Sequence, residues 1–126
     1  MPLNAQLAAL VAALLHIGFF ALESFLFPRP DVWARFRLTS QADADVVRPM
    51  AFNQGFYNLF LALGVLGGLL LVASGSVEAG RAIVLFACAC MVGAGAVLVA
   101  SDRRFASSAA IQAILPLLAI VLTVVL

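Results

Sequence analysis

Four long, unbroken apolar segments are the feature that most constrains the fold of this chain. Each is close to or above the roughly 20 apolar residues that an α-helix needs to cross the hydrocarbon core of a bilayer. Strands of a membrane β-barrel would alternate apolar and polar residues instead. The sequence therefore predicts an all-α, four-transmembrane-helix bundle in one membrane domain over residues 1–126. The predicted helices are 3–27, 50–73, 82–100 and 106–126, and residues 28–49 form a loop.

Composition excludes several other classes of protein. Hydrophobic residues make up 65% of the chain and charged residues 10%, whereas a soluble domain has roughly 45–50% and 25%. The net charge of +1 is too small for nucleic-acid binding. Two cysteines are too few for a disulfide scaffold. We therefore expect an integral membrane protein whose partner is the lipid bilayer and that does not bind nucleic acid.

The arginines predict the orientation in the membrane. Four lie in loop 28–49 and two in the connection 101–105, whereas the turn 74–81 holds one. The positive-inside rule then makes 28–49 a cytoplasmic loop and leaves both termini outside. We expect the chain to lie in the cell (inner) membrane. Segment 3–27 lacks a basic start and is too long for the apolar part of a signal peptide, so we expect it to be a retained span.

Polar residues inside the predicted spans are few and clustered. At 1.5 Å per residue, all except one fall in the cytoplasmic half of the bilayer. In the second span they cover an arc of about 140° that also includes Gly64 and Gly68, a spacing that allows close helix packing. We therefore expect that face to point into the bundle. The polar residues are His16 (near mid-depth), Glu23, Asn53, Gln54, Tyr57, Asn58 and Gln112.

Two of the spans add detail to this cluster. His16 and Glu23 are seven positions apart and share a helix face to within about 20°. Pro116 has no N–H, so the backbone carbonyl of Gln112 loses its helical partner. This carbonyl can then accept another hydrogen bond at the same depth as the side-chain amide of Gln112. We expect Phe20 and Phe27 to wall a polar pocket formed by these groups, and the arginine-bearing first loop to cap it.

The motif NQGFYNLFLA at residues 53–62 follows His16 and Glu23, and a late Gln112-to-Pro116 pattern comes after it. In these features the chain resembles the DUF1304 family, small bacterial and fungal membrane proteins with four predicted helices. The resemblance covers most of the chain. It implies the four-helix fold and the importance of these positions, and because the family has no assigned function it implies no reaction.

The first functional hypothesis is a pocket that binds a small lipophilic or amphipathic molecule. Intramembrane ionisable residues are costly and mark functional sites by default. Acid–base chemistry of an isomerase, a cyclase or an epoxide-opening enzyme would suit these groups. The candidate catalytic residues are His16, Glu23 and Tyr57, and the candidate ligand-binding residues are Phe20, Asn53, Gln54, Asn58 and Gln112.

Two alternatives stay open at this point. One is a proton-coupled small-molecule transporter, although Glu23 lies off-centre for a carrier carboxylate. The other is a packing or partner-binding protein in which the polar groups only join helices and Trp33 anchors the interface or docks a cytosolic protein. A homodimer is compatible with each. We expect no cofactor, and no metal site, because His16 and Glu23 are two turns apart and Cys88 and Cys90 point in different directions.

Overall fold

The computed structural model describes residues 1–126, and every regular element is helical. Four helices are long and apolar enough to cross a membrane. The all-α, four-span prediction is therefore confirmed, and the chain is a multi-pass membrane protein. The elements are α1 (Leu3–Phe20), a π-helical turn (Ala21–Phe25), α2 (Pro30–Trp33), a 3₁₀ turn (Ala34–Phe36), α3 (Gln41–Ala73), α4 (Val77–Ser101), a 3₁₀ turn (Arg103–Phe105) and α5 (Ala106–Val125).

The helix of the second span begins well before the predicted start. Residues 28–49 were predicted to be a loop, but α3 starts at Gln41 and continues through Pro49. Ser40 caps this helix, because its hydroxyl accepts a hydrogen bond from the Asp43 N–H at 3.1 Å. Proline removes one helical hydrogen bond, and α3 continues through Pro49 despite that loss. The prediction was therefore wrong for residues 41–49.

Two compact units divide the chain, and the first comprises residues 1–15 and 61–126. It contains the beginning of α1, the second half of α3, and all of α4 and α5. Its closest approach joins α3 to α4: a Cβ on Gly68 would lie 2.9 Å from the Gly80 carbonyl oxygen and 2.7 Å from Val84. Gly64 faces Ala87 at an ordinary contact distance of 3.6 Å. The predicted close packing is therefore confirmed at Gly68, whereas Gly64 makes only an ordinary contact.

A Schellman turn connects α3 to α4 in this unit. Gly75 has a left-handed backbone (φ 99°), which glycine adopts without steric cost. The Ser76 N–H bonds to the Leu71 carbonyl at 2.9 Å, and the Gly75 N–H bonds to the Val72 carbonyl at 3.2 Å. These bonds satisfy carbonyls that the helix end leaves unpaired, so the chain reverses direction within three residues.

The second unit comprises residues 16–60 and is a helical hairpin. It contains the end of α1, the π-helical turn, α2 and the first half of α3. Phe27, Ala44 and Ala51 form its buried core, and the side chains around them are partly buried. This core holds the charged end of α3 against the segment after α1. The partly buried residues are Trp33, Phe36, Leu38 and Val47.

Candidate functional site

The candidate site lies in the second unit, where α1 changes from α-helical to π-helical geometry. The Leu26 N–H bonds to the Ala21 carbonyl five residues back, at 3.0 Å. Each hydrogen bond of a π-helical turn joins residues five positions apart, one more than in an α-helix, and such turns are frequent at functional sites. Glu23 lies in the middle of this turn. Its side chain therefore leaves the face that regular α-helical spacing would give it.

Glu23 is bonded to α3 by a side-chain amide. Asn58 Nδ2 donates a hydrogen bond to Glu23 Oε1 at 2.8 Å. Asn58 is buried, with 8% of its surface exposed, whereas Glu23 is half-buried. A carboxylate and an amide joined inside a membrane span satisfy each other in a medium that offers no competing water. This pair is the polar centre of the site.

A second bond fixes the π-helical turn to α3. Ser24 is buried, and its hydroxyl donates a hydrogen bond to the backbone carbonyl of Phe52 at 2.8 Å. Gly55 makes this approach possible, since a Cβ there would overlap the Ser24 hydroxyl and lie 3.0 Å from the Phe20 carbonyl oxygen. The glycine of the NQGFYN motif is therefore required by close helix contact. Ser24 and Gly55 together hold Glu23 opposite Asn58.

Phenylalanine rings line the contact between the two helices. Phe20 and Phe56 meet edge-to-face with centroids 5.0 Å apart, and Phe20 contacts Phe25 at 5.3 Å. Phe52 and Phe56 are 5.1 Å apart on successive turns of α3. Phe25 and Phe52 are 60% and 45% exposed. The site therefore has a continuous aromatic surface beside its polar centre, part of which is accessible from outside the chain.

His16 and Phe20 lie before the turn on α1. His16 is buried, at 1% exposure, and its ring packs edge-to-face on Phe19 with centroids 5.0 Å apart. Phe20 is half-buried and belongs to the aromatic surface. Phe27, the other predicted wall, is buried in the hairpin core, and the role of Phe20 as a pocket wall stays a prediction. His16 is in the same unit as Glu23, and its catalytic role stays a prediction.

Three of the predicted polar residues of α3 are exposed. Asn53, Gln54 and Tyr57 all lie on the accessible surface, with Tyr57 at 59%. The expectation that this whole face points inward was therefore wrong for these three residues, and right for Asn58. Helical angle shows which residues share a face, but it does not show whether a neighbour covers that face along the full length of a helix.

Gln112 lies in the first unit, on α5, where it is half-buried. Pro116, one turn further along, is buried. The role of Gln112 in ligand binding stays a prediction.

Two positioning residues of the site were not among the sequence candidates, and neither were the aromatic residues Phe25, Phe52 and Phe56. Ser24 follows the predicted Glu23, and Gly55 lies inside the quoted motif. A serine beside an intramembrane carboxylate and a glycine among amides are the signals that could have identified them, since small residues mark close helix contacts. Both act by positioning, because Ser24 and Gly55 bring the backbones together around the Glu23–Asn58 pair.

No group of three or more His, Cys, Asp or Glu side chains in residues 1–126 is arranged to hold a metal ion. Cys88 is buried and Cys90 is half-buried, and both are free thiols. The polar centre therefore consists of a carboxylate and an amide.

These observations define an all-helical, multi-pass membrane protein with a carboxylate–amide pair in its first helical hairpin. The chain belongs to the DUF1304 family, described as proteins of unknown function, because the family model matches residues 10–124. The resemblance found in the sequence is therefore confirmed. No curated protein and no solved structure matches the chain.

Proposed function

We propose that this protein binds a small lipophilic or amphipathic molecule in the membrane, at the Glu23–Asn58 pair. The hydrogen bond between these two side chains is the observation that carries the proposal. A carboxylate inside a membrane span is costly, and a purely structural link between helices would need only neutral groups. A bound molecule with its own hydrogen-bond donor would bond to the carboxylate, which would explain why a charged group is present there.

The geometry indicates what such a molecule would offer. Asn58 occupies Oε1 of the carboxylate, which leaves Oε2 to accept a hydrogen bond from a hydroxyl or an amine. Next to it, Phe20, Phe25 and Phe56 present ring faces and edges to an apolar group. A ligand with a polar donor at one end and an apolar, preferably aromatic, body fits both features.

Acid–base catalysis is the chemical extension of this proposal. A carboxylate that accepts a hydrogen bond from a ligand hydroxyl is placed to accept its proton as well. His16 and Tyr57 are the other proposed catalytic groups, for isomerisation, cyclisation or epoxide opening. Catalysis requires turnover in addition to binding, so the two are separated by measuring both on the same variants.

Matched probes test the binding proposal. The protein in lipid nanodiscs is titrated with 2-naphthol, which has a donor, and with 2-methoxynaphthalene, which has none, and empty nanodiscs are subtracted. A hydrogen bond to a charged group contributes about 1.5–3 kcal/mol, so we expect 2-naphthol to bind about tenfold or more tightly than the ether. Glu23→Gln keeps an oxygen for Asn58 and should remove most of this preference.

Glu78 supplies the control, because it is the second glutamate and lies exposed in the first turn of α4. Glu78→Gln should bind both probes as the unmodified protein does. Equal binding of the two probes by the unmodified protein would contradict the proposal, as would identical behaviour of the two glutamate variants.

We further propose that the protein lies in the inner membrane of a bacterial cell with both termini outside. Six of the seven arginines lie in residues 28–49 and 101–105, which this orientation places in the cytoplasm. Reporter fusions that are active only in the cytoplasm or only in the periplasm test it. Activity of a cytoplasmic reporter at residue 126 would contradict this orientation.

A further inference from the structure

An open apolar cleft lies between α4 and α5 in the first unit. Its volume is about 270 Å³, and glycine, alanine and valine side chains from residues 92–99 and 106–113 line it. At 1.5 Å per residue, the lining stretch of each helix is roughly 10 Å long. The cleft is therefore about 10 Å long and is lined without polar side chains.

Close backbone packing explains why the cleft exists. A Cβ on Gly95 would lie 3.0 Å from the Ala113 Cβ and 3.2 Å from the Ala109 carbonyl oxygen, so the two helices touch there. Ala96 and Ala110, which also line the cleft, are exposed and too short to cover the flank of this contact. The groove beside the contact is left open to the membrane.

The loop next to the cleft carries positive charge. Arg103 and Arg104 lie between the two lining stretches. Asp102 pairs with Arg104, with Oδ2 2.7 Å from Nη2 and 3.0 Å from Nε, and this pairing offsets the charge of Arg104. Arg103 is exposed and has no ion-pair partner. One guanidinium is therefore available within a few residues of the end of the cleft.

We propose that this cleft and Arg103 bind one anionic phospholipid, with an acyl chain in the cleft and the phosphate on the guanidinium. A helix is roughly 10–12 Å across with its side chains and far exceeds a cleft of about 270 Å³, whereas a methylene chain fits it. Arginine binds phosphate with two parallel hydrogen bonds. Basic residues at a membrane surface attract anionic headgroups. The site is separate from the Glu23–Asn58 pair and does not depend on its function.

Native mass spectrometry of the purified protein tests the proposal. The protein in detergent is titrated with dioleoyl phosphatidylglycerol and with dioleoyl phosphatidylcholine, which share their acyl chains. We expect one tightly bound phosphatidylglycerol per chain, with a dissociation constant at least fivefold below that for phosphatidylcholine. Arg103→Gln should reduce that preference to less than twofold, whereas Arg35→Gln, an exposed arginine of the other unit, should leave it unchanged.

A second pair of variants tests the cleft itself. Leucines in place of Ala96 and Ala110 fill the groove and should weaken both lipids at least fivefold, whereas Ala94→Leu on the exposed, non-lining side of α4 should not. If the filled variant fails to fold, Ala110→Leu and Arg103→Gln still decide the question. Unchanged phosphatidylglycerol binding in a folded filled variant overturns the proposal. A second result would also overturn the proposal. If the wild-type protein is a dimer, and the filled variant is a monomer that binds as many lipids as the wild type, the cleft joins two copies instead of binding a lipid.

Discussion

The side-chain amide of Asn58 donates a hydrogen bond to Glu23 across 2.8 Å, which joins residues 35 positions apart in the sequence. One residue lies in the π-helical turn after α1 and the other in the middle of α3. The bond therefore closes the helical hairpin of residues 16–60 at its most polar point. Its strength and the spacing of the two backbones around it lead to specific expectations.

A double-mutant cycle measures the Glu23–Asn58 bond. Glu23→Ala, Asn58→Ala and the double variant should show a coupling free energy of roughly 0.6–1.7 kcal/mol, the range found for side-chain hydrogen bonds between membrane helices. Unfolding in mixed detergent–SDS micelles gives the three values. The exposed Gln41–Asp45 pair, with a similar 3.0 Å bond, serves as control and should show almost no coupling. Additive effects at Glu23 and Asn58 would contradict the bond.

Gly55 should not tolerate a side chain. Gly55→Ala places a methyl group against the Ser24 hydroxyl and the Phe20 carbonyl, and such overpacking costs about 1–3 kcal/mol of stability. Gly67→Ala on the same helix is the control, because nothing lies within 4 Å of its Cβ. There the alanine should gain up to about 1 kcal/mol. The same unfolding assay applies, and equal effects of the two substitutions would show that the close approach is absent.

The backbone conformation at Arg37 should be more stable with glycine at this position. Arg37 is the one non-glycine residue with a positive φ, 64°, at the end of the 3₁₀ turn before α3. A left-handed conformation costs an L-residue roughly 1–2 kcal/mol, and glycine avoids this cost. Arg37→Gly should therefore be more stable than Arg37→Ala by about that amount, since both lose the same side chain. Equal stability in thermal unfolding would rule out the strained backbone.

Trp33 should contribute to stability through the packing of its ring. It packs against the core of Phe27, Ala44 and Ala51, and its buried Nε1–H has no hydrogen-bond partner. Trp33→Ala should cost up to about 3 kcal/mol, because it opens a space beside that core. Trp33→Phe should cost much less, since it removes an unsatisfied donor and keeps a ring. Thermal unfolding followed by circular dichroism compares them, and an equal loss in both variants would mean that the indole N–H is needed.

The four spans could be predicted because they depend on local composition. Continuous apolar segments long enough to cross a bilayer have few other folds available. The start of α3 differs from the predicted one because a proline such as Pro49 is typical of a loop, although Ser40 with Asp43 three residues later is typical of a helix N-terminus. A cap and a small core of distant residues outweighed one missing hydrogen bond.

The site was predicted only in part, for a geometric reason. Glu23 and Asn58 were both candidates because polar residues inside a span are conspicuous. Their pairing could not be derived, since the angular argument assumed 100° per residue and the turn at Ala21–Phe25 does not follow that spacing. The π-helical turn packs against α3 through Ser24 and Gly55. No pattern within α1 alone specifies it.

The Ser24 bond has a further consequence for sequence variation. Its acceptor is the main-chain carbonyl of residue 52, and every amino acid supplies that atom. The phenylalanine at 52 can therefore be exchanged without removing the link between the helices. Position 24, in contrast, needs a hydroxyl group, and position 55 needs glycine. In related chains, this hydrogen bond should persist where residue 52 differs, provided that a small hydroxylated residue occupies position 24 and glycine occupies position 55.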